Sequence, residues 1–277
     1  MCKALWLISP AKINLFLQVL RKREDNYHEI YSLFQKISLY DEIELRRGKT
    51  EFSLSFSCEE EIPLEKNLLF KTWRLFKEAF SVGEEISLRV KKRIPLGAGL
   101  GGGSSNAGTL LKALGQLFGI PKDKLYPLAI KLGADVPFFL EDYRAALARG
   151  IGEHLEEAPS FEAYYLLIYP GFKIETAWAY QNLNLTKARE PVYYEATLPP
   201  WESPQGLIND FKVLIYRHYP IYHELERHLY DLGAIAVNLS GTGSTIYGVF
   251  GEPPVEAYAR LKKLIKGGKI FLAKNLT

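Results

Sequence analysis

Residues 95–107 read PLGAGLGGGSSNA, and five of the first nine are glycine. Before this segment, residues 86–90 alternate between apolar and polar side chains, which predicts a β-strand. After it, apolar residues recur at helical spacing through 110–118, which predicts a helix. Glycine lacks a side chain, so backbone N–H groups of such a loop can surround a phosphate at the N-terminus of the helix. The segment therefore predicts a phosphate-binding loop between a strand and a helix.

Two familiar nucleotide loops and a plain turn are alternatives for this segment. A Walker A loop needs a lysine followed by Ser or Thr after its last glycine, and no lysine lies between Gly97 and Gly108. The Gly97-x-Gly99-x-x-Gly102 spacing matches the dinucleotide pattern, but the preceding strand is half polar and the acidic residue at the expected distance, Asp123, begins a helix. A tight turn alone needs fewer than five glycines and two serines, so the phosphate-loop interpretation is favoured.

The rest of the chain mixes strands and helices without regular alternation, which favours an α+β fold over a doubly wound parallel sheet. Period-two patterns predict strands near 11–20, 37–45, 52–56, 164–169, 234–239, 245–250 and 269–273. Helical spacing predicts helices over 67–80, 121–133, 207–217, 220–232 and 255–266, while residues 184–206 predict a long connection. We expect two domains, residues 1–158 and 159–277.

Composition excludes several classes of protein. With 277 residues, 47% hydrophobic and 24% charged, the chain can bury a core and is not disordered. Its net charge is only +3 with both signs interspersed, so nucleic acid is not an expected partner, and Lys91–Arg93 is expected to be a solvated run. Two cysteines favour a reducing compartment, and the absence of a long apolar stretch excludes a membrane-spanning helix. We therefore expect a cytoplasmic protein.

Three polar residues in otherwise apolar segments are candidates for chemistry. Lys12 and Asn14 lie on the same side of the first predicted strand, opposite its apolar face. They either supply a positive charge and a hydrogen bond to a site or lie on a solvated face. Asp135 precedes the apolar run VPFFL and either accepts a proton from a substrate hydroxyl or caps a turn before Pro137.

Tyr27 and His28 are candidates for binding a heterocyclic base, by stacking and hydrogen bonding, although a surface pair is the alternative. His218, His223 and His228 are five residues apart, a spacing that does not converge on one helix face. The sequence therefore predicts no histidine metal site.

Five motifs resemble the superfamily of galactokinase, homoserine kinase, mevalonate kinase and phosphomevalonate kinase, the GHMP kinases. In chain order they are PAKINLFL at 10–17, YHEI at 27–30, PLGAGLGGGSS at 95–105, GADVPFFL at 133–140 and SGTGST at 240–245. Their combination resembles the member that acts on a cytidine diphosphate derivative of methylerythritol. One departure is Asn26, which stands where the family usually has glycine before the tyrosine; Asn is the next most tolerant residue of positive φ.

The resemblance implies a GHMP-kinase-like architecture of two domains with a substrate cleft between them. It implies ATP as co-substrate with Mg²⁺, a small cytidine diphosphate substrate, and a monomer or weak homodimer. Its catalytic pair matches Lys12 and Asp135. Its ATP loop matches Pro95, Leu96, Gly97, Ala98, Gly99, Leu100, Gly101, Gly102, Gly103, Ser104 and Ser105. Its substrate-binding positions match Asn14, Tyr27, His28, Thr176 and Tyr180. The SGTGST segment, last of the five in chain order, corresponds to what is called the third motif of these kinases, which matches Gly241, Thr242, Gly243 and Ser244.

Two other functions remain open at this point. A sibling kinase would act on homoserine or a mevalonate derivative, although the Tyr27–His28 pair and GADVPFF argue against it. A nucleotide-binding module or RNA-binding protein without catalysis would not need both Lys12 and Asp135. In the kinase hypothesis Asp135 takes the substrate proton, and Lys12 keeps Asp135 ionised and offsets charge on the transferred group.

Overall fold

The computed structural model describes residues 4–57, 62–185, 187–203 and 206–276. Within these ranges the strands are β1 Leu5–Lys22, β2 His28–Lys49, β3 Ser53–Phe56, β4 Glu85–Lys91, β5 Ala145–Arg149, β6 His154–Ala158, β7 Tyr164–Tyr169, β8 Ala236–Leu239, β9 Ile246–Phe250 and β10 Lys269–Lys274. The helices are α1 Leu68–Phe80, α2 Gly102–Phe118, α3 Lys122–Leu132, α4 Val136–Leu140, α5 Thr176–Asn182, α6 Lys212–His218, α7 Ile221–Asp231 and α8 Val255–Leu264. The predicted α+β class is confirmed.

The elements with strong periodicity are confirmed, and the short ones were not predicted. Helix α1 begins at the N-cap Asn67, whose side chain accepts a hydrogen bond from Leu69 N at 2.9 Å. Strands β5 and β6 and helices α4 and α5 lie in segments to which sequence analysis assigned no element. Each has five to seven residues. Segments this short carry too little periodic signal to predict a secondary structure.

The chain forms two compact units, and the first comprises Met1–Ala11, Tyr40–Ile94 and Gly101–Asp142. Its strands pair as β2 with β4, antiparallel, and β4 with β3, parallel. Its core joins buried residues of β2, β4 and helices α1 to α4. Helices α2 and α4 approach closely at Gly108, where a Cβ would lie 2.6 Å from the Cβ of Phe139. Any larger residue at 108 would therefore push α4 away.

The second unit comprises Lys12–Leu39, Pro95–Leu100 and Tyr143–Thr277. Its four-stranded antiparallel sheet has the order β10-β7-β9-β8, and the first part of β2 pairs with β5, which pairs with β6. Helices α6, α7 and α8 contribute buried residues to its core. Both units are discontinuous in sequence, whereas the expected division at residue 158 is a single cut. That domain boundary stays a prediction.

The connection 184–206 contains no helix or strand in its described residues, as expected, and it covers β1. Gln18 Nε2 donates to Val192 O at 2.8 Å and Gln18 Oε1 accepts from Val192 N at 2.9 Å. Arg189 N donates to Leu20 O at 3.0 Å. The connection therefore covers β1 at Gln18, on the side of the strand that the alternating pattern predicts to be polar.

Candidate functional site

The first part of the glycine loop, residues 95–100, is fixed through its carbonyl groups. Ala98 O accepts from Thr245 N at 3.1 Å, and Leu100 O accepts from Lys12 N at 3.0 Å. Gly99 O accepts from Ser240 Oγ at 2.8 Å. The structure thus brings together residues 98–100 of the loop, the Lys12 backbone and the segment 240–245.

Two glycines of this part have backbone conformations that other residues rarely adopt. Gly97 has φ +66° and Gly99 has φ +75°, in the left-handed region that favours glycine. At Gly99 a Cβ would also lie 2.3 Å from Ser240 O and 2.5 Å from Gly243 O. Glycine at 99 is therefore required both by its φ and by the close approach of the segment 240–243.

The second part of the loop forms the N-terminus of α2 in the first unit. Gly101 is the N-cap with φ +67°, and no side chain caps the helix there. Gly103 is exposed and Ser104 is half-exposed, so the first turn presents backbone N–H groups that an anion can accept. Ser105 differs, because it is buried and its hydroxyl lies 2.7 Å from Ser9 Oγ.

A buried carboxylate beside this turn was not predicted from the sequence. Asp41 is 0% exposed; its Oδ1 accepts from Arg93 N at 2.7 Å and Ile94 N at 2.9 Å, and its Oδ2 accepts from Asn106 Nδ2 at 3.0 Å. The Lys92 ammonium pairs with the same carboxylate, and its side chain is 4% exposed. The expectation that Lys91–Arg93 is a solvated run is wrong for Lys92. Three adjacent basic residues do not indicate which of their side chains is buried, and this is decided by packing in the folded chain.

Lys12 and Asn14 are both buried, at 4% and 2% exposure, so they do not lie on a solvated face. Lys12 Nζ donates to Asn14 Oδ1 at 2.7 Å and lies 4.3 Å from the ring centroid of Phe34. Asn14 Nδ2 donates to Ser32 Oγ at 2.9 Å. A Cβ on Gly241 would lie 3.5 Å from Asn14 Oδ1, which places the third motif beside this pair.

Asp135 belongs to the other compact unit, where it is the N-cap residue of α4. It is half-exposed. Its side chain makes no capping hydrogen bond at this position, so the alternative that Asp135 caps the turn is not supported. It is followed by five buried residues, Val136–Leu140. Because Lys12 and Asp135 lie in different units, their joint action stays a prediction.

Two of the residues predicted to bind the nucleoside, His28 and Tyr180, are in contact within the second unit. The rings of His28 and Tyr180 stack, with centroids 4.9 Å apart and an interplanar angle of 27°. Tyr27 is 59% exposed beside them. Thr176 Oγ1 lies 3.5 Å from Thr242 Oγ1, which connects α5 to the third motif.

The hairpin before Tyr27 keeps the geometry expected from the motif. Asn26 has φ +67°, the conformation for which the family usually has glycine. Arg23 N donates to Tyr27 O at 2.8 Å, and Tyr27 N donates to Asp25 Oδ1 at 3.1 Å. Burial, and then the charge of Lys22, lower the pKa of His28, which favours a neutral ring that can both donate and accept.

Among the described residues, no cluster of three or more His, Cys, Asp or Glu could hold a metal ion. No helix in the described ranges is long and apolar enough to cross a membrane.

Comparison with known proteins places this arrangement in a class. Residues 67–142 match the family described as GHMP kinases N terminal domain. The fold and the glycine loop therefore define a small-molecule kinase of the GHMP class.

Relatives identify the family more closely. The chain is 37% identical over 88% of its length to the 4-diphosphocytidyl-2-C-methyl-D-erythritol kinase of Syntrophotalea carbinolica, covering 89% of that protein. It is 38% identical to that of Syntrophus aciditrophicus, with the same coverage of both chains. A crystal structure of 4-(cytidine 5'-diphospho)-2C-methyl-D-erythritol kinase matches with TM-score 0.81 and 31% identity, over 98% of each chain. The chain belongs to the 4-diphosphocytidyl-2-C-methyl-D-erythritol kinase family.

Proposed function

We propose that this chain transfers the terminal phosphate of ATP to a hydroxyl of 4-diphosphocytidyl-2-C-methyl-D-erythritol, giving the 2-phosphate in the non-mevalonate isoprenoid pathway. The observation that carries the proposal is identity of 37% and 38% to relatives of that name over 88% of the chain. The aromatic side chains of His28 and Tyr180 support a nucleoside-bearing substrate, because a planar base stacks on aromatic rings.

The ATP phosphates are assigned to the loop 95–105. Glycine backbones and the uncapped first turn of α2 offer N–H donors and the positive end of the helix dipole. Mg²⁺ keeps most of its ligands as water and phosphate oxygens, so ATP would bring most of its coordination sphere. Ser104 is half-exposed, and a hydroxyl is an oxygen donor of the kind that Mg²⁺ accepts. When bound, the ion neutralises charge on the phosphates.

Proton removal and charge compensation are assigned to two residues. Asp135 would accept the proton of the substrate hydroxyl, since a half-exposed carboxylate can be reached by a substrate and can act as a general base. Lys12 would offset charge on the transferred phosphoryl group, and its hydrogen bond to Asn14 holds the ammonium in one position. Phosphoryl transfer depends mainly on such positioning and charge stabilisation.

The substrate end is assigned to the second compact unit. Tyr27, His28 and Tyr180 would hold cytosine, and Asn14 and Thr176 would contact the polar part of the substrate. Gly241–Ser244 would support the glycine loop through the contacts of this segment with Gly99. We further propose a cytoplasmic protein that is a monomer or weak homodimer, with domains at 1–158 and 159–277.

A coupled ADP-release assay on purified protein tests the substrate assignment. It compares the cytidine diphosphate substrate with homoserine and mevalonate, each with ATP and Mg²⁺. We expect turnover with the cytidine substrate alone. Turnover with mevalonate or homoserine, and none with the cytidine substrate, would replace this proposal with a sibling kinase.

The Asp135→Asn variant tests the base assignment. We expect kcat to fall about 100-fold or more while ATP binding persists, because the amide cannot accept the proton. Asp123→Asn is the matched control, since Asp123 is an exposed carboxylate in the first turn of α3. Equal kcat for the two variants would refute the role of Asp135.

A further inference from the structure

The side chain of Lys173 lies against the first glycine of the loop. A Cβ built on Gly97 would lie 2.9 Å from both Cγ and Cδ of Lys173, and 3.3 Å from its Cβ. Gly97 is exposed, and so is Lys173 as a whole residue. The aliphatic stem therefore packs along the backbone at Gly97, and the ammonium group is only two bonds beyond Cδ.

The segment that carries Lys173 is anchored to the third motif. Ser244 Oγ donates to Phe172 O at 2.5 Å, and Tyr222 Oη donates to Ser244 O at 2.7 Å. The Phe172 ring stacks on Tyr219, with centroids 5.0 Å apart. The backbone before Lys173 is thus fixed from two directions, so the position of its stem on Gly97 is set by packed neighbours.

The polarity of the loop beside Lys173 suits an anion. The carbonyl groups of Ala98, Gly99 and Leu100 all accept hydrogen bonds from the protein. Carbonyl oxygens repel an anion, and here three in succession are turned away into such contacts. A lysine ammonium next to this loop adds a positive charge where the backbone already favours a negative ligand.

We propose that Lys173 binds a phosphate group of the ligand held at Gly97, and so contributes to nucleotide affinity. The inference rests on the proposed function, in which this loop holds the ATP phosphates. The chemistry recognised is a polyphosphate, whose sources are the triphosphate of ATP and the diphosphate of the cytidine substrate. Nothing in the sequence marks Lys173, because it lies outside every motif and becomes adjacent to Gly97 only in the folded chain.

The charge and the stem of Lys173 can be separated by substitution. Lys173→Met keeps an unbranched stem and removes the charge, Lys173→Arg keeps a charge, and Lys173→Ala removes both. Lys263→Met is the matched control, because Lys263 is exposed on α8. Steady-state kinetics give KM for each nucleotide and kcat, at low and high ionic strength.

The expected result is a KM about tenfold higher for Lys173→Met, the loss of one charge-assisted contact, with a smaller change in kcat. An increase in the KM of ATP identifies the triphosphate, and an increase in that of the cytidine substrate identifies the diphosphate. The increase should shrink at high salt, and Lys173→Arg should restore most of the affinity.

Unchanged KM values for both nucleotides in Lys173→Met would overturn the proposal, and so would a defect confined to Lys173→Ala, which would assign only packing to the stem. A fluorescence titration with a labelled ATP analogue separates the two levels of inference. Wild-type protein that binds the analogue but does not turn over the cytidine substrate would refute the proposed function. Lys173→Met would then still be judged by its dissociation constant for the analogue.

Discussion

Gly99→Ala should damage both the stability and the nucleotide affinity of this protein. The backbone at Gly99 has φ +75°, which costs a residue with a Cβ about 1–2 kcal/mol. The added methyl carbon would lie 2.3 Å from Ser240 O and 2.5 Å from Gly243 O. Both are backbone atoms and cannot rotate away, so the overlap adds about 1–3 kcal/mol, as in other overpacked sites.

The sum is about 2–5 kcal/mol, a large share of the roughly 5–15 kcal/mol that stabilises a typical domain. Gly233→Ala separates the two contributions, because Gly233 has φ +91° and nothing within 4 Å of its would-be Cβ. Gly233 belongs to the same compact unit as Gly99. Its replacement by Ala should lower the free energy of unfolding only by the cost of a positive φ, about 1–2 kcal/mol.

Urea unfolding followed by tryptophan fluorescence measures the free energy of unfolding of both variants, and an ATP titration measures affinity. We expect Gly99→Ala to be the less stable by about 1–3 kcal/mol and to bind ATP more weakly, because the loop must move away from the segment 240–243. Equal free energies of unfolding in the two variants, or unaltered ATP affinity in Gly99→Ala, would refute the reasoning.

Three further predictions concern the buried carboxylate and the ring pair. Asp41→Asn should lower the free energy of unfolding, measured in urea, by about 3–5 kcal/mol, since it leaves the buried Lys92 ammonium without its carboxylate. The double variant Asp41→Asn with Lys92→Met should recover part of this loss. A loss under about 1 kcal/mol for Asp41→Asn would contradict the pairing. Tyr180→Ala should raise the KM of the cytidine substrate about tenfold with little change in the KM of ATP, as expected for loss of base stacking, and equal effects on both would argue against it. Because the pKa of His28 is lowered, its ring stays neutral as the pH falls to about 6.5, the ordinary pKa of histidine. The KM of the cytidine substrate should therefore be constant down to about that pH and rise only below it. A rise that begins above pH 7 would show a charged ring.

The glycine loop and the long elements could be predicted because their signals are local. Alternation in β1, helical spacing in α1 and the glycine run before α2 each depend on neighbours within one segment. Positive φ at Asn26 also followed from its place in a motif. Strands β5 and β6 could not be predicted in this way, since five residues do not establish a period.

The candidate site was predictable by residue type and only partly by environment. The sequence offered two interpretations of Lys12 and Asn14, and burial of both side chains decided against a solvated face. Alternation along β1 described one polar side, but the connection 184–206 covers that side at Gln18, which no local pattern indicates.

By itself the sequence determined that the chain is an α+β protein with a glycine loop between a strand and a helix, because glycine content and side-chain periodicity act through the local backbone. The tertiary structure alone decided that Asp41 is buried against Lys92 and that the stem of Lys173 lies on Gly97. The members of each pair are 51 and 76 residues apart in sequence. Contacts over such separations arise when packed elements bring distant segments together, and their energies depend on desolvation and fit as well as on residue type.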